Sequence, residues 1–159
     1  MAPVRSESRG EIAAGIEAVY AYVSDVTRWP EWAHAIRECS VSGGGSLRAG
    51  ARIDQRVSGS GGSMRDRTLD VSAVDAPRRI EFAGLFGPSP LRWGFDLTAA
   101  GGTRTGILLW VEMDRRGPMR ATPAPVLRKM VRDTNDREIA AIKTAVEAAL
   151  APRAAEPAG

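Results

Sequence analysis

The chain has 159 residues, enough for one domain with a sizeable core and too few for two of ordinary size. Hydrophobic residues make up 43% and charged residues 26%, the profile of a globular protein rather than a disordered one. The 22 basic and 19 acidic side chains balance to +3, too little to funnel nucleic acid, and the lone Cys39 and lone His34 exclude a disulfide or a Cys/His metal cluster.

Val4 to Ile12 alternates weakly and reads as a first strand. Ile16, Val19, Tyr20 and Val23 recur at helical spacing, predicting a short amphipathic helix that ends before Trp29-Pro30, because a residue preceding proline disfavours helical dihedrals. A second short helical turn is expected from Glu31 to about Ile36.

The period then changes to two. Cys39 to Ser42, Ala51 to Val57, Met64 to Val74, Arg79 to Ala83, Leu91 to Thr98 and Thr103 to Met113 are short alternating runs separated by clusters such as Gly43-Gly44-Gly45 and Gly87-Pro88-Ser89-Pro90. Glycine (17) and proline (10) together exceed their usual share of roughly 12%, as many turns require. From about Pro123 to Leu150 the apolar residues return to a spacing of three or four, giving a helix about 40 Å long at ~1.5 Å per residue. The fold class is therefore α+β. A curved antiparallel sheet of about seven strands wraps around a long C-terminal helix, with two short helices after the first strand, over residues 1–150; residues 151–159 read as a flexible tail. A twisted sheet and a straight helix match imperfectly, so an internal space is expected between them.

The order of these elements, with Asp25-Val26-Thr27-Arg28-Trp29-Pro30-Glu31-Trp32 after the first helix, resembles the START-like polyketide cyclase/dehydrase superfamily, also termed SRPBCC. The resemblance implies a helix-grip fold with a deep apolar cavity. It also implies binding of a small, largely apolar molecule, either by a polyketide cyclase or dehydratase of secondary metabolism or by a non-catalytic binder or carrier of a lipid, quinone or other apolar metabolite. No cofactor is implied. Isoleucine stands at position 36, where several cyclases carry tyrosine.

The candidate lining follows strand parity. Leu91, Trp93, Phe95 and Leu97 share one face, continued by Phe82 on the preceding strand and by Ile107, Leu109, Val111 and Met113 on the next. Of these, Phe82, Trp93, Phe95, Leu109 and Met113 are the ligand-binding candidates, with Met130 and Thr134 opposite on the helix. Trp32 either forms pocket wall or staples the short helices to the sheet, and Trp29 has the same two readings. Trp110 has the opposite parity and belongs on the convex surface, as a subunit contact or under long neighbours, which leaves a monomer and a homodimer both open.

Three residues are catalytic candidates. Arg65 and Arg67 share the parity of Leu69 and Val71, and an inward guanidinium at Arg67 would need an anionic or carbonyl-rich ligand as partner. Gln55 alternates with Ile53 and Val57 and would offer an amide to a ligand carbonyl or a water. His34, near the expected mouth, is the one side chain whose ordinary pKa lies near neutrality.

Seven basic residues stand between Arg115 and Arg137. They read as a solvated helix face or as a docking site for an acidic partner such as an acyl carrier protein, and not for nucleic acid, since no aromatic residues are interleaved. Residues 1–10 lack the apolar stretch of a signal peptide and no segment approaches the ~18 apolar residues of a membrane span. The expected location is cytoplasmic, without membrane insertion.

Overall fold

The structure, a computed structural model, describes residues 2–150; the expected tail at 151–159 lies outside the described residues. Strand β1 (Val4–Ile12) leads into helix α1 (Ile16–Ser24), a 3-10 turn (Val26–Glu31), and strands β2 (Ile36–Val41), β3 (Arg52–Ser58), β4 (Met64–Asp75), β5 (Arg79–Phe86), β6 (Ser89–Ala99) and β7 (Thr105–Met113). A further 3-10 turn (Gly117–Ala121) precedes helix α2 (Ala124–Leu150). The strands form one antiparallel sheet in the order β1-β7-β6-β5-β4-β3-β2. Consecutive strands from β2 to β7 are neighbours, and β1 returns to pair with β7, so β1 and β2 form opposite edges.

One local expectation fails. The second helical turn does not begin at Glu31; it occupies Val26–Glu31, runs through Trp29-Pro30, and is followed by strand at Ile36. Asp25 caps this turn, its carboxylate accepting from the Thr27 amide at 3.2 Å and from the Thr27 hydroxyl at 2.5 Å. A 3-10 turn this short loses little to a proline, because few of its amides have intrahelical partners. Trp29 is fully buried and donates from Nε1 to the Val23 carbonyl at 3.0 Å, so it staples the turn to α1.

Small residues on β1 decide where α2 lies. Ser6 and Ser8 face inward and donate to the carbonyls of Arg128 and Arg132 at 3.1 and 3.4 Å. A Cβ at Gly10 would sit 2.6 Å from the Ile139 side chain, so glycine there lets helix backbone approach strand backbone. The helix is thereby drawn against the β1 edge instead of over the middle of the sheet.

Its apolar face is held at two places. Ile139, Ile142 and Val146 enter the main core with Trp29, Trp32, Phe82, Phe95 and Leu109, while Leu127 joins a separate small cluster with Val4 and Met113. The aromatic part of the core is closely interlocked: Phe82 stacks on Trp93 at 4.4 Å between centroids and meets Trp29 edge-on at 5.1 Å.

Trp110 does lie on the convex face, but it is 1% exposed, covered by long neighbours. The Arg5 guanidinium covers its ring at 4.8 Å, with those of Arg79 and Arg92 at 5.8 and 5.9 Å. Gly94, its cross-strand partner, leaves the slot for the indole: a Cβ there would lie 3.0 Å from the ring.

Candidate functional site

Between the two clusters that anchor α2 the helix bridges a cavity of about 420 Å³. One wall is the sheet, with Leu91, Trp93, Leu109, Val111 and Met113 from β6 and β7. The opposite wall is α2, with Leu127, Met130, Val131, Thr134, Asn135 and Glu138. Trp32, Ala33, Ala35 and Ile36 close one end, while Phe86 and Met130, which are 49% and 60% exposed, mark the mouth.

The structure brings Trp32, Trp93, Leu109, Met113, Met130, Thr134 and Arg67 onto this lining. Thr134 is exposed instead of buried in mid-pocket, and its hydroxyl accepts from Arg137 at 3.5 Å. Phe82 and Phe95 are not on the wall; both are fully buried behind it, Phe82 against Trp93 and Phe95 edge-on to Trp32. His34 is exposed between the lining residues Ala33 and Ala35 and does not itself line the cavity. Arg65 is exposed at the start of β4.

Gln55 is also off the lining, but it is coupled to it. Gln55 and Arg67 face each other across the β3–β4 ladder, and Arg67 Nε donates to Gln55 Oε1 at 2.9 Å. The buried Gln55 amide in turn donates to Cys39 Sγ at 3.7 Å. Burial pushes the Cys39 thiol up to about 11, so it stays protonated. Burial also pulls the Arg67 guanidinium below its ordinary value, and among the described residues no carboxylate pairs with it. Gln55 therefore fixes the plane of a partly desolvated cation whose remaining N–H groups are uncommitted.

Two polar residues of α2 were not singled out from the sequence. Glu138 lines the cavity without a hydrogen-bond partner among the described residues, and burial raises its carboxyl to about 7, with Arg137 opposing the rise. Asn135 is 5% exposed and its Nδ2 has no partner; the same holds for Trp32 Nε1. The signal for Glu138 was present: it stands at i+8 from Met130 and i+4 from Thr134, on the same helix face. In chemical terms the site holds a cation suited to a carbonyl or carboxylate, and an acid that exchanges its proton near neutral pH, in otherwise hydrocarbon walls. No group of His, Cys, Asp and Glu among the described residues is arranged to hold a metal, and no described helix is long and apolar enough to cross a membrane.

Solved structures share this architecture. A START superfamily protein from Mycobacterium smegmatis superposes with a TM-score of 0.72 at 18% identity, over 91% of this chain and 98% of that one. The di-domain ARO/CYC BexL matches with a TM-score of 0.72 at 21% identity, over 93% of this chain and 48% of its own length. The Zhui aromatase/cyclase from a Streptomyces species matches with a TM-score of 0.62 at 15% identity, over 91% and 92%. At such identities these likenesses establish the helix-grip fold alone. No curated protein matches the sequence. Residues 3–147 match the model of the family described as polyketide cyclase / dehydrase and lipid transport, and the chain belongs to that family.

Proposed function

We propose that this protein binds a largely apolar molecule bearing a carbonyl or carboxylate in the cavity under α2, and acts on it as a polyketide cyclase or dehydratase. One observation carries the reading: Arg67, held by Gln55 and unpaired with any carboxylate among the described residues, borders a cavity otherwise walled mainly by hydrocarbon. A desolvated guanidinium is costly unless something answers it, and the oxygen of a ligand carbonyl, enolate or carboxylate is the fitting partner. The aromatic and aliphatic walls hold the chain folded, Arg67 stabilises negative charge on the carbonyl oxygen, and Glu138 gives or takes the proton. BexL and Zhui, an ARO/CYC and an aromatase/cyclase of the same fold, accord with this reading.

The second reading is a non-catalytic carrier of a lipid, quinone or other apolar metabolite. It is favoured by the small number of titratable groups on the lining, Arg67 and Glu138. A reconstituted assay with a linear poly-β-ketone substrate separates the two. Arg67→Met is expected to slow product formation by on the order of a hundredfold, the scale of losing one stabilising donor at a developing oxyanion. Unchanged turnover in Arg67→Met, Gln55→Ala, His34→Ala and Glu138→Gln alike would leave the carrier reading in place of the enzyme.

A further inference from the structure

Two groups of opposite charge line the cavity and do not pair with each other. Arg67 enters from β4 and Glu138 from α2, and no ion pair joins them. Gln55 holds the guanidinium, whereas the Glu138 carboxyl has no hydrogen-bond partner among the described residues. A carbonyl or carboxylate ligand answers Arg67 alone. It leaves the acid on the helix wall with nothing to balance it.

The surroundings of Glu138 suit a cation. The residue is half-buried, and burial raises its carboxyl to about 7, so at higher pH it stands ionised and poorly solvated. Asn135, three residues earlier on the same helix face, adds an amide to that stretch of the wall. The rings of Trp32 and Trp93 line the same cavity, and indole faces attract ammonium groups. Arg137 opposes a cation there only weakly, because it is exposed to screening water and donates to the Thr134 hydroxyl at 3.5 Å.

Resting on the cavity reading above, we infer that this site also takes apolar molecules bearing a protonated primary amine, with the ammonium on the Glu138 carboxylate and the hydrocarbon body against the indoles. An ammonium gives the carboxylate charge-assisted hydrogen bonds and balances its charge inside hydrocarbon walls. A ligand hydroxyl gives one neutral donor and leaves that charge unbalanced. The cavity therefore prefers an amine to an alcohol of the same skeleton.

The test is displacement of N-phenyl-naphthylamine, an apolar fluorophore, from the full chain at about pH 8, where the amine is charged. The competitors are phenylbutylamine and phenylbutanol, which share one skeleton and differ in the terminal group. Dye affinity is measured first for each protein. The readout is the ratio of the two competitor affinities within that protein, so that a change in cavity shape cancels. In the wild type the amine is expected to bind about tenfold more tightly than the alcohol. Glu138→Gln is expected to bring the ratio to about one, and Glu138→Asp to keep part of the preference. Equal affinities in the wild type, or an amine preference that survives in Glu138→Gln, would overturn the inference. Failure of the wild-type protein to take up the dye would instead count against the cavity reading itself.

Discussion

Replacing Glu138 with glutamine keeps the shape of the side chain and removes its proton equilibrium, so it isolates what an ionisable group costs inside an apolar cavity. Burial raises this carboxyl from its ordinary 4.5 to about 7. Below pH 4.5 it is protonated in both folded and unfolded chains and contributes nothing to the pH dependence of stability. Between 4.5 and about 7 the unfolded chain ionises while the folded one resists, so stability falls as pH rises; above about 7 both states are ionised and the full cost stands. A rise of about 2.5, at ~1.36 kcal/mol for each pH unit, sets an upper bound of roughly 3 kcal/mol. Water reaching the half-open cavity screens part of it, leaving about 1–3 kcal/mol. Glu138→Gln should therefore match the wild type near about pH 4.5 and exceed it by about 1–3 kcal/mol near about pH 8, and because the other carboxylates and His34 are common to both chains, their titrations cancel in the comparison. Urea unfolding of both proteins across that range, with equal denaturant slopes, is the assay. A difference that is the same at both ends of the range, or a wild type that gains on the variant as pH rises, would refute the placement of Glu138 in a desolvated site.

Two further substitutions separate the wall from what supports it. Phe82→Ala removes a fully buried ring stacked on Trp93 and edge-on to Trp29, and is expected to cost about 3–5 kcal/mol in chemical denaturation. If its effect on the affinity of a cavity-bound dye exceeded its effect on stability, Phe82 would have to be returned to the lining. Gly94→Ala places a Cβ 2.4 Å from the Ile80 carbonyl oxygen of the neighbouring strand and 3.0 Å from the Trp110 ring, and neither Gly94 nor Trp110 lines the cavity. It should lower stability by about 1–3 kcal/mol while dye uptake per folded molecule is unchanged, as thermal melting and fluorescence titration would reveal.

The strands were legible because their apolar residues alternate between glycine-rich turns, and the observed ends lie within a few residues of the expected ones. The rule that helices stop before proline misplaced the Val26–Glu31 turn, because it weighs an α-helix against proline and not the shorter 3-10 form. Strand parity placed Trp110 on the convex face, but nothing in its own strand reveals the three arginines that cover it, which come from β1, β5 and β6. Parity likewise allowed Arg67 and Gln55 on the inner face but left a solvated position open for each. Only the β3–β4 register sets them opposite one another, and so distinguishes a coupled pair from two separate polar residues.

The same limit applies to which inward residues touch the cavity. Phe82, Phe95, Trp93 and Leu109 share a face and are indistinguishable by pattern, yet only Trp93 and Leu109 meet open space. The deciding feature lies on a distant element: Ser6, Ser8 and Gly10 of β1 draw α2 to one edge, and the cavity opens on the side the helix has left. A bulkier residue at Gly10 would push Ile139 away and move the whole helix wall, with Glu138 and Asn135 on it, relative to Arg67. The position of the helix wall that carries Glu138, relative to the strand that carries Arg67, thus depends on the smallest side chains in the first strand.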